Sequence, residues 1–237
     1  MTSVGDEISA DPSRWSFGGA IANTFDSHVA KSVPLYHESH QLALDLSDYF
    51  VKRDSVVYDI GCSTGTLTRK LFDRNMDKTT RIIGVDSVHE MIDFACRQNT
   101  EGVTAPQYIC DDVVTMSLLA SDFVAMFYTL QFIHPSVRQS VLDKIYRSLN
   151  WGGALLLFEK VRAPDARFQD IATGLYVEYK IRNGFELAET AAKTRSLKGV
   201  LEPFSSQGNL DLLKRSGFSD VMTISKFVSF EGFLAIK

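Results

Sequence analysis

A chain of 237 residues with 45% hydrophobic side chains is long enough to bury one large core, so a single decorated domain is expected. Its 25 Lys and Arg against 29 Asp and Glu leave a net charge of −4, which excludes a broad positive field for a phosphate backbone and makes direct nucleic-acid binding unexpected. Cys62, Cys96 and Cys110 lack CxxC spacing, and no leader-like start or membrane-length apolar run occurs, so a cytoplasmic protein without disulfides, structural zinc or membrane anchor is expected.

Residues 1–14 are rich in Ser, Asp, Gly and Glu and carry almost no periodic apolar signal, which predicts a flexible N-terminus ahead of one domain over 15–237. Within 15–50, Ile21, Phe25 and Val29, then Leu42, Leu44 and Leu46, recur at roughly helical intervals around the break Ser32-Val33-Pro34, predicting an N-terminal helical cap. The β-branched run 55–60 then ends in the small-residue turn Gly61-Cys62-Ser63-Thr64-Gly65 before a helical stretch. A second strand over 81–86 leads to a helix from Val88 to Arg97. Further strands are predicted at Gln107–Cys110, Phe123–Tyr128 and Ala154–Phe158, with a helix at Ser136–Leu149. Residues 164–199 read as one continuous polar helix, an inserted lid. The chain closes with a helix at Leu210–Ser216, its stop Gly217, and a hairpin of Val221–Phe227 with Phe230–Ile236. Alternating strands and helices imply a doubly wound, Rossmann-like α/β sheet covered on both faces.

The chemistry-bearing residues gather at predicted strand ends. A strand feeding a helix through small residues lets a ligand approach the backbone, and the spacing is not the GxGxxG of dinucleotide enzymes. Asp59, just before the turn, can accept from a ligand ammonium or from the loop's own amides, which points towards S-adenosylmethionine (SAM). Asp86, about twenty residues past the glycine turn, suits the two hydroxyls of a ribose, although Asp86-Ser87 also reads as a helix cap. Asp112 is a candidate for the adenine amine, or part of a solvated turn with Asp111. The segment from Phe127 to Pro135 should wall the site, with His134 a candidate base or an exposed loop residue. His37 and His40 have no third ligand of suitable spacing, so no metal is expected.

Asp59-Ile60-Gly61-Cys62-Ser63, Val85-Asp86-Ser87, Thr129-Leu130-Gln131-Phe132 and Leu142-Asp143-Lys144-Ile145-Tyr146 resemble segments of the carboxy-S-adenosylmethionine synthase family. Trp15-Ser16-Phe17, Lys31 to Tyr36, Asn150 to Ala154 and Phe158-Glu159-Lys160 are similar to that family in the same order, so the resemblance spans nearly the whole chain from Trp15. It implies a class I methyltransferase fold, a homodimer, and synthesis of carboxy-SAM from SAM and prephenate for modification of the tRNA wobble uridine. It further implies ligand contacts from Tyr36, Gly61, Cys62, Ser63, Asp86, Ser87, Asp112 and Val113. An Arg reaching in from the partner subunit would bind the added carboxylate, and Arg195 is its nearest match, aligned across a gap. Phe127 stands where the family has an Asn, and Leu35 where it has a Gly.

The leading expectation is therefore a SAM-dependent methyltransferase acting on a small-molecule acceptor, with Tyr36, Arg195 and His134 as catalytic candidates. The alternatives are the carboxy-SAM synthase itself and a non-catalytic SAM-binding subunit.

Overall fold

The computed structural model describes residues 2–5, 8–99 and 104–237. Short strands β1 (Thr2–Ser3) and β2 (Ser9–Ala10) precede a 3-10 turn at Gly19–Asn23 and the helices α1 (Phe25–Ser32) and α2 (Tyr36–Phe50). There follow β3 (Val56–Ile60), α3 (Thr66–Arg74), β4 (Arg81–Asp86), α4 (His89–Arg97), β5 (Gln107–Cys110), β6 (Ser121–Phe127), α5 (Pro135–Ser148) and β7 (Leu149–Lys160). The remainder is α6 (Ala166–Arg182), α7 (Leu187–Ser196), α8 (Ser206–Ser216), β8 (Asp220–Phe227) and β9 (Phe230–Ile236).

Among the described residues, seven strands share one sheet in the order β5-β4-β3-β6-β7-β9-β8. Strands β3 to β7 pair in parallel, while β9 runs antiparallel to both β7 and β8. This is the doubly wound α/β sheet with a terminal hairpin that the alternating pattern predicts. The order reverses beside β3, the switch point at which such sheets leave a crevice outside the carboxyl ends of their strands. In register, Ile60 lies opposite both Val85 and Met126, which brings the loops after β3, β4 and β6 to one edge.

Period-two alternation divides the core between the two faces. Tyr58, Ile60, Val124, Met126, Leu155 and Leu157 meet Val141, Leu142 and Ile145 of α5 and Leu212 and Leu213 of α8. On the opposite face Val57, Ile82, Phe123, Ala125 and Leu156 meet Ala43 of α2 and Leu67 and Leu71 of α3. Each such buried side chain contributes roughly 1.5–3 kcal/mol, whereas an ion pair as exposed as Arg74–Asp48 is screened by solvent and adds little. The two apolar layers therefore hold the strand ends in place.

Of the segment 1–14 expected to be flexible, residues 1, 6 and 7 lie outside the described residues; the rest carries the β1–β2 ladder, with Val4 and Ile8 buried beside Trp15 and Ala192 of α7. Too few apolar residues lie in that segment to show a period, yet Ser13 N and Trp15 N donate to the carbonyls of Arg195 and Ser196 and strap it to α7. The single helix expected over 164–199 is two. Gly184, at φ +90°, follows the end of α6, and a reciprocal capping box between Glu186 and Glu189 starts α7. No helix among the described residues is long and apolar enough to cross a membrane.

Candidate active site

Beyond Ile60 the chain folds back over β4, as the amides of Gly61 and Cys62 both donate to Val85 O, at 2.7 and 3.0 Å. Gly61 sits at φ +75°, and a Cβ there would stand 2.0 Å from Thr129 Oγ1. Only glycine lets the loop after β6 close on the loop after β3. Asp86 joins the two neighbouring loops: Ser63 N and Val88 N each donate to its carboxylate at 2.9 Å. The helix cap read from Asp86-Ser87 is not formed, since α4 begins at His89 after Val88 with no side-chain cap; Asp86 instead closes a turn onto Val88 N, and the same carboxylate faces a cavity. Burial raises its pKa, while the Val88 and Ser63 amides act in the opposite direction.

That cavity has a volume of about 510 Å³, within the range of small-molecule sites. Tyr36, Asp59, Gly61, Cys62, Ser63, Asp86, Ser87, Asp112, Val113, Phe127 and His134 all line it. Arg195 does not: it is exposed on α7, and Lys193, two residues earlier, lines the cavity in its stead.

Asp59 is buried and accepts from the Thr68 hydroxyl at 2.6 Å. Burial lifts it to about 7, against the opposing Thr68 hydrogen bond and with a further push from Asp86. Asp112 Oδ1 accepts from Val114 N, and the loop it belongs to is pinned by Lys144, whose Nζ donates to the carbonyls of Val113, Val114 and Met116. Burial drives the phenols of Tyr36, Tyr128 and Tyr176 upward, so all three stay protonated at neutral pH. Burial, with help from Lys70 and His37, brings His40 down to about 3. Phe127 stacks on Phe158 at 4.4 Å and meets His40 edge-on, which makes that stretch of wall apolar.

His134 is exposed at the start of α5, where Ser136 N donates to its Nδ1. His134 thus caps α5 while it also lines the cavity.

Several residues in the cavity wall or behind it carry no spacing signal. Asp26 of α1 accepts from the hydroxyls of Thr64 and Thr66 at 2.7 and 2.9 Å, docking the helical cap on the glycine loop. Tyr176 of α6 donates to Ser32 O at 2.9 Å and ties the lid to α1. Lys193 Nζ is hydrogen-bonded to His28 Nε2 and lies over the Trp15 ring. Beneath the loop after β6, buried Arg138 donates to the carbonyls of Gln131, Ile133 and Glu202, while Glu159 accepts from Leu130 N. Only the folded chain brings these groups together.

The donor set matches an adenosyl amino acid. Carboxylates suit hydroxyl and ammonium donors, the bare backbone of a glycine turn admits close approach, and buried Val113 offers an apolar surface to a flat base.

Comparison with known proteins agrees with that chemistry. Residues 57–153 match the model of a methyltransferase domain. The chain is 32% identical to the carboxy-S-adenosyl-L-methionine synthase of Campylobacter lari, across 98% of this chain and 99% of that one. It is 34% identical to the protein of that name in Trichodesmium erythraeum, across 95% and 90%. Among solved structures, human N-acetylserotonin methyltransferase in complex with SAM superposes with a TM-score of 0.61 at 18% identity, covering 92% of this chain and 55% of that one. The plantazolicin methyltransferase BpumL, in complex with a triazolic desmethyl analogue and SAH, gives 0.63 at 13% identity, covering 92% and 95%. At such identities the superpositions establish the fold, which is that of class I methyltransferases.

Proposed function

Since the chain belongs to the carboxy-S-adenosyl-L-methionine synthase family, we propose that it is a SAM-dependent transferase that converts SAM to its carboxylated form with a small organic acid as carboxyl donor. The observation that carries this reading is the similarity over 98% of the chain to a relative of that name, which spans the lid as well as the sheet. It favours carboxylation over the simple methyl transfer that the motifs alone put first.

In this reading Asp86 would hold the ribose, Asp112 and Val113 the adenine, and Asp59 with the glycine turn the amino-acid end. Bound there, the sulfonium makes its methyl group both acidic and electrophilic. The protein contributes alignment and exclusion of water. The Tyr176–Ser32 hydrogen bond closes α6 over α1, and the protonated tyrosines and the low-pKa His40 offer no strong base at neutral pH. The proton lost from the SAM methyl as its C–H bond gives way to the new C–C bond would therefore be taken by the leaving group that the organic acid sheds with its carboxyl. Rate enhancement then comes mainly from holding two reactants in line, an advantage that reaches roughly 7–11 kcal/mol in favourable cases.

Purified protein incubated with SAM and prephenate tests the proposal by the mass of the nucleoside product. A gain of one carboxyl group is expected, and unchanged SAM with prephenate consumed or untouched overturns it. A second reading, methyl transfer to a small acceptor, is favoured by Phe127, an apolar ring stacked where the family has a polar side chain. Formation of S-adenosylhomocysteine with an added acceptor supports that reading. A non-catalytic subunit has no support from relatives that carry an enzyme's name. A homodimer is proposed with the same function, because exposed Arg195 is available to a partner's cavity, and sedimentation at micromolar concentration tests it.

A further inference from the structure

The cavity wall is electrically divided. Around the turn after β3 it carries Asp59, Asp86 and Asp112, and beneath α6 and α7 it carries Lys160 and Lys193. A cationic, hydroxyl-rich cofactor accounts for the acidic half, whereas no carboxylate among the described residues pairs with Lys160. It stands at the carboxyl end of β7, with its Nζ 4.2 Å from the ring centroid of Tyr176 and 5.7 Å from that of Phe230. Among the described residues no carboxylate lies within ion-pair distance of that ammonium, and the charges that bear on it, Lys198 and Lys180, are both positive.

The nearest alternatives are committed elsewhere. Glu159, one residue back along the strand, points to the other face and accepts from Leu130 N. The Tyr176 hydroxyl donates to Ser32 O, so only the ring faces the lysine. Burial, aided by Lys198, draws the Lys160 ammonium down to about 8. Ammonium groups withdrawn from water are ordinarily paired. One left on a cavity wall among rings and other cations is complementary to an anion that arrives with a ligand.

We propose that Lys160 is the carboxylate anchor of the second substrate's subsite: a small organic acid docks beneath α6 with its carboxylate on the Lys160 ammonium and its apolar body against Tyr176 and Phe230. This rests on the reading of a SAM-dependent transferase and deepens it by naming the residue that holds the co-substrate. The cofactor's positive sulfur and the acid's negative carboxylate then occupy opposite ends of one cavity, each facing protein charge of the other sign.

Calorimetry on the full chain saturated with S-adenosylhomocysteine, titrated with prephenate and separately with phenylpyruvate, tests the anchor. Lys160→Met keeps much of the apolar stem and should weaken the binding of both acids about tenfold or more, the size of one charge-assisted hydrogen bond. Its affinity for S-adenosylhomocysteine should stay within about twofold of wild type, and Lys160→Arg should regain part of the loss. Acid affinity unchanged in Lys160→Met overturns the anchor, and so does an equal fall in the affinity for S-adenosylhomocysteine, which would mark Lys160 as structural. Wild-type protein that binds phenylpyruvate through Lys160 but makes no carboxylated product from prephenate keeps the anchor and removes the carboxylation reading. Wild-type protein that binds neither acid removes the anchor.

Discussion

The two ends of the cavity are built by different means. At the β3 end the contacts come from backbone amides at a positive-φ turn and from carboxylates at or just beyond strand ends, all set by the parallel register of β3, β4 and β5. At the other end they come from side chains of β7, α6, α7 and the segment around Trp15 and His28, joined by rings and long cationic stems. The first kind of site is stiff and local. The second is assembled across the whole chain, so its specificity can change by single side-chain replacements that leave the turn untouched.

The largest effect should come from attacking the stiff end. Gly61→Ala places a Cβ against Thr129 at a backbone angle that L residues avoid, and a loss of about 2–4 kcal/mol in urea unfolding is expected. A change below 1 kcal/mol would show that the two loops are freer than the contact implies. Asp86→Ala removes the acceptor shared by Ser63 N and Val88 N and should weaken SAM binding at least about tenfold, with about 1 kcal/mol of stability lost from the two unpaired loop amides. Unaltered SAM affinity would remove Asp86 from the cofactor site.

The lysine end should respond through pH. Lys160 has a folded pKa of about 8, below its unfolded value near 10.4, so the unfolded chain binds more protons between those limits and stability should rise with pH across that window. Below pH 8 the cost of the buried charge is constant. Lys180, drawn to about 8 by burial and by Lys160, titrates in the same window. The informative quantity is therefore the difference between wild type and Lys160→Met, which should be steeper in wild type above pH 8 and show a more stable variant at pH 7. Equal slopes would mean that Lys160 is not held at a cost. The smallest effect is expected of Tyr176→Phe, which loses the tie to Ser32 O: about 0.5–1.5 kcal/mol of stability and a few-fold loss in kcat/KM. No change in either would show that α6 is held shut by its rings alone.

The same contrast governs how far a reader of the chain can go. Strand 56–60, the glycine turn, Asp86 and the terminal hairpin were legible because each is a local pattern with a local cause: apolar period, tight turn, strand end. The docking of residues 2–5 and 8–14 was not, since Val4 and Ile8 become core only when α7 arrives beside them. The break at Gly184 was missed because helix-forming residues continue on both sides of it. His134 illustrates a third case: its capping of α5 rests on one backbone amide, a contact that residue type does not announce.

What the amino-acid order determined by itself is the doubly wound sheet and the acidic, glycine-bearing turn, because both follow from interactions between residues close in sequence. Tertiary structure alone decided that Lys160, Tyr176, Lys193 and His28 share a wall and that Arg195 stands outside it. The charge on a lysine is visible anywhere in a chain, but whether that charge is paired depends on which distant segments the fold sets around it.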